Sequence, residues 1–257
     1  MRTLTIITGA SRGLGFELAR QSLKKGDCVV TMERKPNPEL VNQAKEIDCE
    51  FVQFSADLLD RKGAVELLSW WLSGEEYKDF ERVNLINNAG VLGPVGPIEY
   101  QTPQAAVDCI RINFEIPVLL TQAFLADTRD WKADRRVLNI SSGAARKSVP
   151  GWAMYCSTKA ALDRFTAVTA EDQARLVNGA KLASAAPGVV DTDMQARIRE
   201  SSPDAFPGVD RFKKLKSEGG LVSAEETARK LLEYLNSSDF GKEPITDIRI
   251  INGGKSV

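Results

Sequence analysis

Thr8-Gly9-Ala10-Ser11-Arg12-Gly13-Leu14-Gly15 stands between the apolar run Leu4-Thr5-Ile6-Ile7 and a helical pattern that runs from Phe16 to Lys25 and stops at Gly26. Glycines at spacings of four and two let a backbone turn pass close to a phosphate. The helix that follows offers unsatisfied N–H groups and the positive end of its dipole. A glycine pattern alone says little. Here a strand precedes it and a helix follows, as phosphate binding requires.

The rest of the chain repeats this alternation. Short apolar runs predict strands over Cys28–Met32, Glu50–Phe54, Val83–Ile86, Arg136–Ile140, Lys181–Ala185 and Asp247–Ile251. Helices are expected over Glu39–Ile47, Lys62–Leu72, Gln104–Phe124, Tyr155–Leu176 and Ala224–Leu235. The strands are apolar on both faces, which predicts a parallel sheet sandwiched between helices. The expected fold is α/β: one Rossmann-type, doubly wound domain over residues 1–257, with seven parallel strands and helices on both faces. No linker or repeat divides it. The stretch 193–221 is too long for an ordinary connection and reads as a substrate lid.

Composition narrows the chemistry. The chain has 257 residues and no histidine, which excludes a Ser-His-Asp triad, a histidine base and a His-ligated metal. Acid–base work must run on Tyr, Lys, Cys or carboxylates. Cys28, Cys49, Cys109 and Cys156 form no CxxC pair, so no metal site is expected and the thiols read as free, in a reducing cytoplasm. A net charge of −1 gives no reason to expect nucleic acid or an anionic membrane as partner. No apolar run looks long enough to span a bilayer.

The end of the second strand selects the cofactor. An acidic group there suits the adenosine ribose hydroxyls of NAD, and cations suit the 2′-phosphate of NADP. Glu33 stands at the acidic position, but Arg34 and Lys35 follow it and Arg12 lies in the glycine loop, so NADPH/NADP+ is the expected cofactor. Tyr155 and Lys159 are spaced i, i+4 and share a helix face. A phenol is a weak acid at neutral pH, and a neighbouring ammonium favours its ionisation. Tyr155 then serves as proton donor to a substrate alkoxide. Ser141-Ser142 ends the fifth strand, where a parallel sheet opens onto its crevice, and either hydroxyl can donate to a carbonyl oxygen. Asn113 lies inside a long helix, where its amide can interrupt the backbone bonding and hold a water.

With those residues in place the chain resembles the short-chain dehydrogenase/reductase family along essentially its whole length. The carrying motifs are TGxxxGxG at Thr8–Gly15, Asp57 after the third strand, NNAG at Asn87–Gly90, Asn113, Ser142, YxxxK at Tyr155 and Lys159, and PGxVxT at Pro187–Thr192. The family places its catalytic serine thirteen residues before the tyrosine, which selects Ser142 over Ser141. The resemblance implies a catalytic set of Asn113, Ser142, Tyr155 and Lys159. It implies cofactor contacts at Gly9, Ser11, Arg12, Gly13, Leu14, Gly15 and Arg34, and at Asp57 and Leu58 beside the adenine. Asn88, Ala89 and Gly90 line the middle of the site. Lys159 holds the nicotinamide ribose beside Tyr155, and Pro187, Gly188, Val190 and Thr192 lie at the carboxamide. It further implies a homodimer or homotetramer built through the two long helices.

Within the family the chain looks like the benzil reductase branch, and next the sepiapterin reductase branch. The stretches that carry this are Trp131–Gly143, Gly151–Cys156, Pro187–Arg199 and Asp210–Leu221. The branch resemblance implies reduction of one carbonyl of an aromatic vicinal diketone to the (S)-alcohol. The expected substrate residues are Ser142, Trp152, Tyr155 and Met194, with Phe206 and Phe212 folding over from the lid. Asp247 falls where sepiapterin reductases hold the pterin amino group, so reduction of a pterin side-chain carbonyl is the alternative. The tail Asn252-Gly253-Gly254 instead resembles the general family ending. A non-catalytic NADP(H) sensor is the reading from another class, and the intact catalytic set argues against it.

Overall fold

A computed structural model describes residues 2–74 and 79–251; the tail motif Asn252-Gly253-Gly254 lies outside the described residues. Seven strands form one parallel sheet in the order β3-β2-β1-β4-β5-β6-β7. They are β1 (Thr3–Thr8), β2 (Cys28–Glu33), β3 (Phe51–Ser55), β4 (Arg82–Asn87), β5 (Asp134–Ile140), β6 (Lys181–Ala186) and β7 (Ile245–Asp247). The order reverses between β1 and β4, and the crevice opens beyond the carboxyl ends of those two strands.

Alternate residues of each strand feed two cores. Leu4, Ile6, Val83, Leu85 and Val137 face a layer containing α3 (Arg61–Leu72) and α5 (Ile116–Asp127). Ile7, Val29, Ile86, Leu138 and Ala183 face α1 (Gly13–Lys25) and α9 (Ala224–Asn236). Helix ends follow local chemistry. Gly26 closes α1 at φ +88°, its N–H returning to Leu23 and Ser22. Asn37 caps α2 (Pro38–Glu46) with Pro38 behind it, and Ser223 caps α9.

The expected long helix over Gln104–Phe124 is present with an interruption: α4 (Pro103–Ile110) passes through a π-helical turn, Arg111–Glu115, into α5. Contrary to the sequence expectation, the combined run Pro103–Asp127 is long and apolar enough to cross a membrane by length and composition. In the fold its Ile116, Leu120 and Phe124 are buried in the core against the sheet, which accounts for the apolarity. A second correction concerns the C-terminal strand predicted over Asp247–Ile251. The strand ends at Asp247 and Ile248–Ile251 forms a helical turn, α10. Asp247 is the reason: its carboxylate accepts the Arg249 backbone N–H at 3.0 Å, the geometry of a helix cap.

α6 (Ala153–Ala174) is the second long helix, packed on β6 and on the π-helical turn. The stretch 193–221 carries α7 (Asp193–Arg199) and α8 (Val209–Ser217). Ile198, Phe206 and Val209 from it join Leu92, Ala144 and Trp152 in a third, smaller apolar cluster over the carboxyl end of the sheet.

Candidate active site

The glycine loop is shaped by two requirements. Gly9 and Gly13 sit at φ +73° and +58°, a region side-chain-bearing residues rarely adopt. Gly15 is excluded from carrying a side chain by space: a Cβ there would stand 2.2 Å from the Gly9 carbonyl oxygen. The NNAG segment knits this loop to β4. Asn88 Nδ2 donates to the Thr8 and Gly9 carbonyls at 3.0 and 3.2 Å. The N–H groups of Asn88 and Ala89 both donate to the Thr8 hydroxyl at 3.1 Å. Arg12 stands at the N-cap of α1 and makes no side-chain cap bond, so the first N–H groups, those of Gly13 and Leu14, are left without a side-chain cap and could meet a ligand. A pyrophosphate fits this cradle.

The ribose end differs from the expectation in one respect. Glu33 does not point outward as a hydroxyl acceptor. It is buried, accepting the Ala10 N–H at 3.3 Å and the Thr31 hydroxyl at 3.0 Å. Burial pushes its carboxyl up from the usual range, opposed by hydrogen bonds from Thr31, Gln53 and Ala10. Glu33 thus braces the glycine loop from below, while Arg34 and Lys35 stay exposed. Asn37 donates to the Ser11 carbonyl at 3.0 Å, tying the β2–α2 loop to the same place. Arg12 is exposed and pairs with Asp193 of α7 at 3.1 Å. Asp57 is exposed and accepts the Leu59 N–H. Leu58 turns its side chain into the core, leaving only its backbone for an adenine.

The four residues expected to be catalytic come together. Tyr155 and Lys159 lie on the buried face of α6, with the Lys159 nitrogen 6.0 Å from the centre of the Tyr155 ring. Lys159 donates to the Ile140 carbonyl at 2.8 Å. Ser142 accepts the Ala144 N–H at 3.1 Å, which fixes its hydroxyl, and it lies close enough to act on the Tyr155 phenol. Asn113 sits in the π-helical turn and clamps the main chain after NNAG. It donates to the Val91 carbonyl and accepts the Val91 N–H, both at 2.8 Å. The helix is broken locally because this side chain takes backbone partners of its own. Gly90 lies between them: a Cβ there would stand 3.5 Å from Asn113 Oδ1 and 3.6 Å from Lys159 Nζ.

Burial acts in opposite senses on the two ionisable groups. It pushes the Tyr155 phenol up, opposed by the Ser142 hydrogen bond. It pushes Lys159 down to about 8, opposed by the charge of Asp163. The expectation that the ammonium dominates the phenol is therefore reversed in the protein alone.

Val190 pairs with Val222 and Thr192 reaches the glycine loop: a Cβ on Gly13 would lie 3.4 Å from the Thr192 methyl. Pro187 and Gly188 precede them at the end of β6, Gly188 at φ +79°. Beyond Tyr155 the wall is aromatic. The Trp152 ring stacks on Phe206 at 4.8 Å, packs tilted on Phe212 at 5.4 Å and meets Tyr155 edge-on at 5.8 Å. Met194 and Phe212 pack against the same cluster. Asp247 is buried, and both its oxygens are held by the Arg249 guanidinium at 2.9 and 2.7 Å.

The sequence reading missed Asp163, Ser184, Arg146 and Arg249. Asp163 carried a usable signal, because it extends the Tyr155–Lys159 spacing by another i+4 step. The other three are brought in by tertiary packing alone.

Comparison with known proteins gives the family and the fold. The sequence model of the short chain dehydrogenase family matches residues 3–203. A benzil reductase ((S)-benzoin forming) of Bacillus cereus is 37% identical over 235 residues, covering 91% of this chain and 94% of that protein. A sepiapterin reductase of Bos taurus is 32% identical, covering 93% and 91%. A solved short-chain dehydrogenase/reductase of Saccharomyces cerevisiae superposes with a TM-score of 0.80 at 25% identity, covering 96% of each chain.

Proposed function

This chain belongs to the short-chain dehydrogenase family, and from that premise we propose that it is an NADPH-dependent carbonyl reductase acting on one carbonyl of an aromatic vicinal diketone, as in benzil to (S)-benzoin. The family uses nicotinamide cofactors, which supply the hydride. The observation that carries the finer reading is the buried Tyr155, with the half-buried Ser142 beside it, set against the aromatic wall of Trp152, Phe206 and Phe212.

In this reading Ser142 and Tyr155 both point hydrogen-bond donors at the substrate carbonyl oxygen, and Tyr155 gives its proton to that oxygen. Lys159 holds the nicotinamide ribose and stabilises negative charge as it develops on the phenol. Asn113 fixes the Val91 backbone and so the floor of the site. The stretch 193–221 acts as a lid whose aromatic rings exclude water from an aryl group. Each buried aryl ring contributes roughly 1.5–3 kcal/mol. Asp247, with both oxygens engaged by Arg249, is poorly placed to receive a pterin amino group, which favours the diketone over the pterin.

NADPH is assigned over NADH because Glu33 is committed to the loop while Arg34 and Lys35 are exposed and can surround a 2′-phosphate. The reading extends to a cytoplasmic homodimer or homotetramer joined through α4–α5 and α6, whose outer faces expose Val107, Ile110 and Val168. Steady-state kinetics with benzil test the cofactor assignment. Native enzyme should prefer NADPH, and Arg34→Ala should raise the NADPH KM roughly 10–100-fold, the loss of a charge-assisted contact, with little change for NADH. Equal use of both cofactors by the native enzyme contradicts it.

A further inference from the structure

Lys159 presents a problem of charge. Its side chain is 4% exposed. Among the described residues, its hydrogen bond goes to the Ile140 carbonyl oxygen, which carries no formal charge. A buried ammonium needs a counter-charge to remain charged. The groups that face it are Tyr155 and Asp163 on its own helix and Cys109 from α4. Burial also pushes the Cys109 thiol up, so it stays neutral. Asp163 is then the nearby anion.

Asp163 sits one turn beyond Lys159 on the same buried face of α6 and is itself 8% exposed. It is held from two other elements. The Ser184 hydroxyl on β6 donates to one carboxylate oxygen at 2.6 Å. The Arg146 guanidinium, from the loop after β5, stands 3.6 Å from the other oxygen. Arg146 is committed elsewhere as well, donating to the Thr246 carbonyl at 2.7 Å, and beyond it the Asp247–Arg249 pair is self-neutralised. Tyr155, Lys159 and Asp163 therefore form a row along one helix face, proton donor, cation and anion in order.

Resting on the assignment of Tyr155 and Lys159 as the reacting pair, we propose that Asp163 is a positioning residue whose buried carboxylate, fixed by Ser184 and Arg146, supplies the counter-charge that keeps Lys159 an ammonium at working pH. It touches neither substrate nor cofactor. Its removal lets Lys159 lose its proton earlier as pH rises, and a neutral amine no longer stabilises the developing phenolate.

The test compares Asp163→Asn and Asp163→Glu with the native chain, reading reductive kcat/KM for benzil and, separately, NADPH affinity by fluorescence, both across pH. The asparagine variant retains an acceptor for Ser184. At about pH 6 it should match the native enzyme, and at about pH 9 it should fall roughly tenfold below it, its alkaline limb displaced downward by about one unit. The glutamate variant, which keeps the charge, should restore most of the native profile. A native-like limb in Asp163→Asn overturns the proposal. If that variant does not fold, Arg146→Met serves: removing the competing cation should move the limb upward, and an unchanged or lowered limb overturns the proposal. Native enzyme inactive on benzil would count against the diketone reading. The pH dependence of NADPH affinity would still decide the role of Asp163, because Lys159 also holds the ribose.

Discussion

Two residues one helical turn apart respond to burial in opposite directions. Enclosing Tyr155 makes the phenol a weaker acid, and enclosing Lys159 makes the ammonium a stronger one, with Lys159 at about 8. In the proposed reaction the proton thus stays on Tyr155 until negative charge develops on the substrate oxygen, which suits the reductive direction. The sign for pH dependence follows: reductive activity is retained below about 8 and declines as pH rises through that value and Lys159 becomes neutral. Tyr155→Phe removes the proton donor and leaves the ring packing against Trp152. It should lower kcat by about 10²–10⁴-fold while NADPH binding, read by fluorescence, stays near native. Substantial turnover in that variant would sink the mechanism. The spacing of Tyr155 and Lys159 was legible in the sequence because a helix repeats locally. The inward turn of Glu33 was not, because it depends on Ala10 and Gln53, brought to β2 only by the sheet.

Among the elements, those with strong periodicity and local caps were readable to within a few residues, as for α1 with Gly26 and α9 with Ser223. Two elements were not. The interruption of the helix at Asn113 was expected, but its form, a π-helical turn at Arg111–Glu115 with Asn113 bonding Val91 twenty-two residues away in sequence, was not. The strand at the C-terminus stops early because Asp247 caps the turn after it, while Ile248-Arg249-Ile250-Ile251 keeps strand-like composition. The stretch 193–221 was recognisable as an excursion by its length, but its helices α7 and α8 are short and stabilised by packing of Phe206 on Trp152. Phe212 is the more exposed of the two lid rings, so it tests recognition without dismantling the cluster. Phe212→Ala should raise the benzil KM by roughly 10–100-fold, in line with losing about 1.5–3 kcal/mol of aryl burial. The KM for a small aliphatic diketone should change little. Equal effects on both would remove the lid from substrate recognition.

At the scale of the whole molecule, the reversal of strand order between β1 and β4 creates a crevice beyond the carboxyl ends of those strands. In the proposed site the glycine loop would hold the cofactor, NNAG and Asn113 form the floor, and α6 carries Tyr155 as the proposed proton donor. In the proposed reaction one face of a nicotinamide would be presented to a carbonyl whose oxygen Tyr155 and Ser142 would hold, with the aromatic cluster orienting the aryl groups. Hydride delivered to one face of the carbonyl carbon, with the oxygen held in place for protonation, gives one enantiomer. The central claim, stereoselective NADPH-dependent reduction of a vicinal aryl diketone, is tested most directly by chiral chromatography of the product formed from benzil and NADPH. The account predicts a single reduction giving mainly (S)-benzoin. A racemate, mainly (R)-benzoin, or no benzil conversion alongside rapid sepiapterin turnover that Asp247→Ala removes would contradict it.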